Sequence, residues 1–387
     1  MQMGELRDVV KNFPKYPGTI EKSPASVCND GFPGTFNMSY SEAEMIEYFG
    51  QYLDYNKDLI YSKIQPVIRY QDWKHIADAD EHSYRYLSLF DLADIGGAII
   101  LKEQKNVKGV IHFCVKNLYT FLIENLKLKK ENLRISFFPG GDVKTATKGK
   151  YDFDYQLPSD ETVSVWKELG LKEGQFLPEF SRDTLLAVNI FGLPTPWGFR
   201  HEVNYLHKGK LLDIATFEYI IYRPIFKEGK IVDLREWEHL FSISAVGLDR
   251  ILMVVNDLEK TTDCPHIKPL IELCLEKSKN KDEKKAIIAA QAIRSLHRVF
   301  TDCDSFTNLT RKRKEKVRNF YTGINSSFKS LGITDGSNLL DELLTLNSTL
   351  QNYYPELRNS IKITKEEILA GLSRLGKKRL KIKKVVK

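Results

Sequence analysis

Cysteine is scarce in this chain of 387 residues, and what there is carries no pattern. Cys28, Cys114, Cys264, Cys274 and Cys303 are odd in number, scattered, and nowhere spaced as CxxC. That spacing argues against both a disulfide framework and a cysteine-rich zinc site. The eight histidines include no HxxxH pair, so no structural metal is expected. Long apolar runs are missing too: no stretch of eighteen or more apolar residues occurs, which speaks against a membrane-spanning helix. The opening residues MQMGELRDVVKNFPKYPG lack the apolar centre of a secretory leader. A cytoplasmic protein with no membrane partner is the expectation. With 42% hydrophobic residues, the chain can bury a large core and is long enough for two or three domains.

Charge is distributed unevenly. From Asp257 onward there are 27 Lys and Arg against 16 Asp and Glu, a balance of +11; residues 1–256 carry −4. Two basic clusters, Arg311–Arg318 and Lys377–Lys384, suit a phosphate backbone, although a solvated face or a frayed tail would look the same. The first lies inside an expected helix, so its charges could be held in a fixed array. Secondary-structure signals change at the same place. Residues 1–40 read as an irregular lead-in, and a capped helix is expected to begin near Ser41. Strand-like runs follow at Pro66–Arg69, Tyr84–Phe90, Leu133–Phe138, Leu185–Phe191, Glu202–Tyr205 and Leu211–Tyr222, with a helical Val107–Leu128 among them and a hairpin turn at His207–Lys210. Beyond Asp257 the pattern is helical, over Asp282–Phe300, Arg311–Leu331 and Leu339–Tyr354. The expected organisation is an α+β body over 1–256 and a basic helical region over 257–387.

The stretch ISAVGLDRILMVV, Ile243–Val255, joins a strand pattern to a helical one at Gly247. Arg250 falls in the first helical turn. A cation there is mildly unfavourable for the helix itself, so either an anionic ligand or a pairing carboxylate accounts for it.

Three further segments complete a constellation: Gln65–Arg69, a strand ending in arginine and followed after a polar loop by His82-Ser-Tyr-Arg-Tyr86, then Thr195–Tyr205 (TPWGFRHEVNY), and Leu212–Tyr219 (LDIATFEY). In this order and at these separations, they resemble the catalytic part of the alanyl-tRNA synthetases, a family of class II aminoacyl-tRNA synthetases. Arg69 with His82–Tyr86 is similar to class II motif 2, and Gly247-Leu-Asp-Arg250 to the Gly-Leu-Glu-Arg of motif 3. The family's Gly-Pro-Cys-Gly-Pro-Cys-Ser-Glu-Ile-His-Tyr aligns on 195–205 with Pro196, Gly198, Glu202 and Tyr205 kept. Asp302, Asn308 and Arg311 match the spacing of a later family motif, Asp-Gly-Val-x-Pro-Ser-Asn-Glu-Gly-Arg. The resemblance runs from about residue 35 to about residue 375, at low identity.

The resemblance implies a class II fold, an antiparallel sheet flanked by helices and followed by a mostly helical domain. It also implies a ligase of protein biosynthesis that uses ATP and Mg²⁺ to form an aminoacyl-adenylate, then charges tRNA. Arg69 and Arg250 are the implied catalytic residues. Arg69 would take the α-phosphate and the amino-acid carboxylate; Arg250 would hold the far phosphates and cover the adenine. Lys74, His75, His82, Tyr86, Asp213 and Gly247 complete the implied ATP site, and Asp213 with Thr216 the implied metal ligands. Asn308, Arg311, Arg313, Lys314 and Arg318 are the implied tRNA contacts. Partners would be an amino acid and tRNA, with neither membrane nor DNA.

Two departures stand out. The family's ammonium-binding Asp falls on Ile243, and its Trp-Asn-Leu-Val on Ala215-Thr-Phe-Glu218. Ala215, Thr216, Glu218 and Ile243 are therefore the candidate amino-acid pocket. Glu218 either takes the substrate's ammonium, meets a basic substrate side chain, or faces away if the register slips by one. The family's editing and C-terminal domains have no counterpart in these 387 residues. Two other readings fit as well: a paralogue that hands its adenylate to a different nucleophile, and an RNA- or adenylate-binding protein without catalysis.

Overall fold

The computed structural model describes residues 1–29, 31, 34–41, 43–45, 48, 58–78, 82–103, 106–181, 183–187 and 196–385, with the backbone alone at 77, 78 and 376–385. Thr195, the Val188–Phe191 end of one expected strand and most of the helix expected near Ser41 lie outside the described residues, and so do the side chains of Lys377–Lys384.

The chain is a mixed α and β protein. Among the described residues, eleven strands form one sheet: β1 (Ile20–Glu21), β2 (Leu59–Ser62), β3 (Ile64–Ile68), β4 (Leu89–Asp94), β5 (Ala98–Leu101), β6 (Leu133–Phe137), β9 (Phe176–Pro178), β10 (Leu185–Ala187), β11 (Trp197–His207), β12 (Lys210–Lys227) and β13 (Lys230–Gly247). A separate ribbon pairs β7 (Gly141–Asp142) with β8 (Gln156–Leu157). The main path runs β1-β2-β5-β13-β12-β11-β6-β9, with β3 beside β4, β4 also on β13, and β10 on β11. Pairings are antiparallel except β1 with β2 and β6 with β9.

Two hairpins make the centre of the sheet. At Lys208-Gly209 and Glu228-Gly229 the paired turn residues take left-handed φ values of 48° and 77°, and 51° and 75°, the backbone that two-residue hairpin turns need to match strand twist. Gly198 is required for a different reason. A Cβ there would collide with the Tyr219 carbonyl, because β11 and β12 crowd together at a bulge between Trp197 and Gly198.

Helices cover the sheet and continue beyond it: α1 (Met3–Asn12), α2 (Tyr70–Asp78), α3 (Val107–Tyr119), α4 (Leu248–Val255), α5 (Lys268–Glu276), α6 (Glu283–Cys303), α7 (Arg311–Leu331), α8 (Gly336–Leu350) and α9 (Ile361–Val385). Every element described after residue 256 is helical. No helix among the described residues is long and apolar enough to cross a membrane. One apolar core runs from Leu6 and Val10 through Phe217 and Ile251 to Phe320 and Leu343, so the helical region shares its core with the sheet. A smaller cluster of Tyr40, Met45, Tyr61, Ile220, Phe241, Ile243 and Ala245 packs separately.

Three expectations need correction. Residues 1–40 are not irregular throughout: Met3–Asn12 is the helix α1, whose Met3, Leu6 and Val10 join the core. Tyr84–Leu87 is not strand: a 3₁₀ turn occupies Ser83–Arg85, and the strand begins at Leu89. The polar loop expected after Arg69 is instead α2. Its buried Trp73 meets the Phe320 ring of α7 edge-on at 5.0 Å, so tertiary packing holds this segment as a helix.

Asp94, fully buried at the end of β4, accepts a hydrogen bond from the Ser244 backbone N–H at 3.1 Å. Burial pushes its carboxyl up to about 8, against the pull of backbone donors at Ser244, Gly97 and Gly96 and the charge of Lys15. The native state therefore holds a proton that the unfolded chain releases. Stability from this group is complete below the unfolded value of about 4 and is lost as pH rises through about 8. Asp94→Asn cannot titrate and is expected to gain in melting temperature relative to the parent between about pH 5 and about pH 8.5. A difference that stays constant over that range contradicts the assignment.

Candidate functional site

A two-residue period along β11 and β12 sends alternate side chains to one face of the sheet. Arg200, Glu202 and Asn204 share that face on β11, and Thr216 and Glu218 on β12, in the register Arg200↔Glu218 and Glu202↔Thr216. On β13, Ile243, Ala245 and Gly247 continue it. These residues line a cavity of about 960 Å³, at the upper end of the roughly 300–1,000 Å³ range of small-molecule sites. Arg69 reaches it from the end of β3, and Asp72 from the first turn of α2. Arg85 and Tyr86 reach it from the 3₁₀ turn, and Arg250 from the first turn of α4. Two arginines 181 residues apart in the chain thus open onto one space.

One end of the cavity is governed by guanidinium groups. Arg250 bonds the Asp213 carboxylate, donates from a terminal nitrogen to the Asp213 carbonyl at 2.9 Å, and donates from Nε to the Arg85 carbonyl at 3.2 Å. Arg85 also approaches Asp213, at 3.7 Å. Burial pushes the Asp213 carboxyl upward, but the charges of Arg250 and Arg85 outweigh it and hold the group below the ordinary carboxylate value. Arg69 lies over the Phe90 ring at 5.0 Å and donates to the Met38 carbonyl at 3.0 Å. Burial lowers its pKa, Asp72 opposes that, and the charge of Arg250 adds to the lowering. The last influence means the two cations act on each other. Tyr86 faces the cavity with His75 stacked on its ring at 4.7 Å.

The other end is more acidic. Arg200 donates to Glu218 at 2.7 Å and approaches Glu202 at 3.5 Å, with Glu179 and Asp183 nearby in the wall. Burial is the main cause that raises Glu202 to about 8; Asp213, Glu218 and Asp183 add to it, while Arg200 opposes it. Met45, Leu186, Ile243 and Ala245 supply the apolar part of the lining.

Arg69, Tyr86, Asp213, Ala215, Thr216, Glu218, Ile243, Gly247 and Arg250 all line the cavity. Lys74, His75 and His82 are not among its lining residues: Lys74 sits over the Tyr70 ring at 5.5 Å, and His82 precedes the 3₁₀ turn. Gly247 is not a conformational necessity, since its φ is −86°. A Cβ there would meet nothing nearer than the Ile214 carbonyl at 3.9 Å, so the glycine leaves the cavity wall open instead. Glu218 does not face away. It is paired with Arg200, a partner that sequence reasoning left out. Arg85 and Asp72 were also missed. The charges at Arg200 and Glu202 on one strand and at Glu218 on the next were the available signal for the acidic end, but they become meaningful only once the strand register is known.

The basic helix α7 divides the candidate RNA contacts. Arg311 is 94% exposed in its side chain, and Lys314 and Arg318 lie over the Phe306 ring at 5.9 and 5.4 Å. Asn308 donates its side-chain amide to the Cys303 carbonyl at 3.0 Å. Arg313 is only 2% exposed. Its guanidinium donates to the carbonyls of Thr35 and Cys28 at 2.6 and 2.8 Å and also to that of Asn29. Placing Arg313 among surface RNA contacts is therefore corrected: it ties α7 to the N-terminal lead-in.

No protein-family model matches the sequence, and no curated protein matches it either.

The arrangement of α7 sets an expectation for urea denaturation. Arg313→Ala leaves three half-buried carbonyls without their donor and should cost about 1–3 kcal/mol, whereas Arg311→Ala should stay within about 0.5 kcal/mol of the parent. Equal effects at the two positions would mean that Arg313 is not the anchor.

Proposed function

We propose that the chain activates an amino acid with ATP, forming an aminoacyl-adenylate in this cavity, and transfers the activated acyl group to the 3′ end of a tRNA. One observation carries the reading: Arg69 and Arg250, the two arginines that resemble those of motifs 2 and 3 in class II synthetases, open onto the same cavity beside a mostly antiparallel sheet. A class II synthetase fold is part of the same proposal, and so is the division into a catalytic region over 1–256 and a tRNA-binding region over 257–387.

The chemistry asks two anions to meet. The carboxylate of the amino acid attacks the α-phosphate, pyrophosphate leaves, and negative charge spreads over the phosphoryl oxygens in the transition state. Fixed cations stabilise that charge most when they need no reorganisation as it develops. Arg69, held by the Met38 carbonyl and the Phe90 ring, takes the carboxylate and α-phosphate in this reading. Arg250 takes the outer phosphates, with Arg85 beside it. Tyr86, backed by His75, offers the base an aromatic face. The Arg200, Glu202 and Glu218 end, with its apolar margin, receives the amino-acid side chain.

Mg²⁺ on Asp213 and Thr216 fits less well. Asp213 is already engaged by two guanidinium groups, and no group of three or more His, Cys, Asp or Glu side chains among the described residues is set to hold a metal ion. Binding the triphosphate would have to draw Arg250 and Arg85 off this carboxylate before it could ligate an ion. For the second step, Asn308, Arg311, Lys314 and Arg318 present amide and cationic groups that suit an RNA backbone.

Amino-acid-dependent exchange of pyrophosphate into ATP, surveyed over the twenty amino acids, tests the reading. Arg69→Ala should lower the exchange rate by about 10²–10³-fold or more while tRNA affinity stays within about threefold of the parent. Charge reversal at Arg311, Lys314 and Arg318 should do the opposite, weakening tRNA binding with a shallower salt dependence and sparing exchange. An Arg69→Ala protein that exchanges as well as the parent would remove the proposal.

A further inference from the structure

Seven carboxylates line the cavity: Asp72, Glu179, Asp183, Glu202, Asp213, Glu218 and Asp249. Most of them have an evident partner. Asp213 is held by Arg250 and Arg85, and Glu218 and Glu202 share Arg200. Asp249 accepts from His266 at 2.9 Å and from the Asp91 backbone N–H at 3.0 Å. Glu179 and Asp183 are partly or largely exposed, so water satisfies them.

Asp72 differs. It is 6% exposed and lines the cavity; its Oδ2 is buried without a hydrogen-bond partner, and no hydrogen bond or ion pair to the rest of its carboxylate occurs among the described residues. Leaving a buried carboxylate oxygen unpaired is costly, and in native proteins such a group calls for an explanation. Its position supplies one. Asp72 lies three residues after Arg69, where β3 gives way to α2, and Arg69 is the strongest charge acting on it. No ion pair joins the two among the described residues, so both remain available to a third party.

A ligand that satisfies both at once carries a carboxylate and a cation a few ångströms apart. A free α-amino acid has that spacing built in, because its ammonium and carboxylate sit on one carbon. We infer that Arg69 and Asp72 form a clamp for the zwitterionic head of the substrate, with Asp72 accepting the α-ammonium. This rests on the activation reading above, and it fills the gap left by Ile243, an apolar residue of 2% exposure that cannot accept a proton donor. It also frees Glu218 from that role, since Glu218 already has Arg200. The substrate class follows: α-amino acids, with discrimination against α-hydroxy and simple carboxylic acids of the same side chain.

The test compares the most active amino acid of the exchange survey with its α-hydroxy analogue, in the parent, Asp72→Asn and Asp72→Glu. In the parent the amino acid should win by at least about 100-fold in kcat/KM, since a site built around a polar group strongly rejects an analogue lacking it. Asp72→Asn, nearly the same shape without the charge, should raise the amino-acid KM by about 100-fold, leave the ATP KM within about threefold, and erase the preference. Asp72→Glu should recover part of it. Asp72→Asn with unchanged amino-acid KM and preference overturns the clamp while leaving adenylate formation in place. Should the parent exchange with none of the twenty amino acids, the activation reading falls instead. Calorimetric titration with the twenty amino acids and the hydroxy analogue of any that bind then decides the clamp separately. Tighter binding of the amino acid, lost in Asp72→Asn, keeps it; no binding, or no preference, ends it.

Discussion

Of the four guanidinium groups that line the cavity, Arg69, Arg85 and Arg250 cannot crowd one end of it without a counter-charge, and Asp213 provides it. Arg250 and Arg85 both turn to this carboxylate, and Arg250 is fixed further by the carbonyls of Asp213 and Arg85. The pairing register makes this possible. A bulge between Val203 and Asn204 shifts β12 against β11, and Asp213 comes to lie opposite Asn204, on the edge of the cavity face. Removing one partner from a half-buried charge cluster of this kind is unfavourable, because the others are left uncompensated. The same reasoning explains why an anion is welcome. A triphosphate brings several negative charges to cations that share a single carboxylate with one another, so binding exchanges one set of ion pairs for a larger one.

Placement of the cavity depends in turn on packing far from it. The strand that ends in Arg69 and the helix that carries Asp72 are braced from behind: Ser88 bonds Ser295 of α6 at 2.7 Å, and Trp73 lies against Phe320 of α7. At the N-terminus, Arg7 reaches Asp91 at 2.5 Å, and Tyr354 donates to the same carboxylate at 2.9 Å. Asp91 sits on β4, and its backbone N–H is the donor to Asp249, the neighbour of Arg250. One hydrogen-bonded chain therefore links α1, the residues after α8 and the first turn of α4. Interiors this closely packed transmit displacement instead of absorbing it, so the helical region supports the cavity as well as offering a basic surface of its own.

Much of this was legible in the sequence wherever the signal was local. The strand-to-helix junction at Gly247 follows from a change of apolar period, and Arg311–Leu331 reads as a helix from its pattern alone, which the structure matches. The lining of one cavity by both Arg69 and Arg250 was legible only as a resemblance between ordered motifs, since nothing in either segment reports the other. What sequence reasoning lost was set by tertiary structure. A polar run after Arg69 reads as loop, yet Trp73 finds an aromatic partner some 250 residues away and the run folds as α2. Arg313 looks like its basic neighbours, and only the path of the lead-in turns it inward. Glu218 reads as a free acid until register places Arg200 opposite, and Asp72 becomes conspicuous only when every other buried carboxylate in the cavity has been given a partner.

The central claim is that a nucleotide triphosphate lies between Arg69 and Arg250. A crystal structure of the protein soaked with an ATP analogue that cannot be cleaved between the α and β phosphates measures this directly. The account predicts α-phosphate oxygens within about 2.7–3.2 Å of the Arg69 guanidinium, outer phosphates on Arg250, and the Arg250–Asp213 contact opened to admit them. A nucleotide bound elsewhere on the protein, or one in the cavity with neither arginine facing a phosphate, would contradict it.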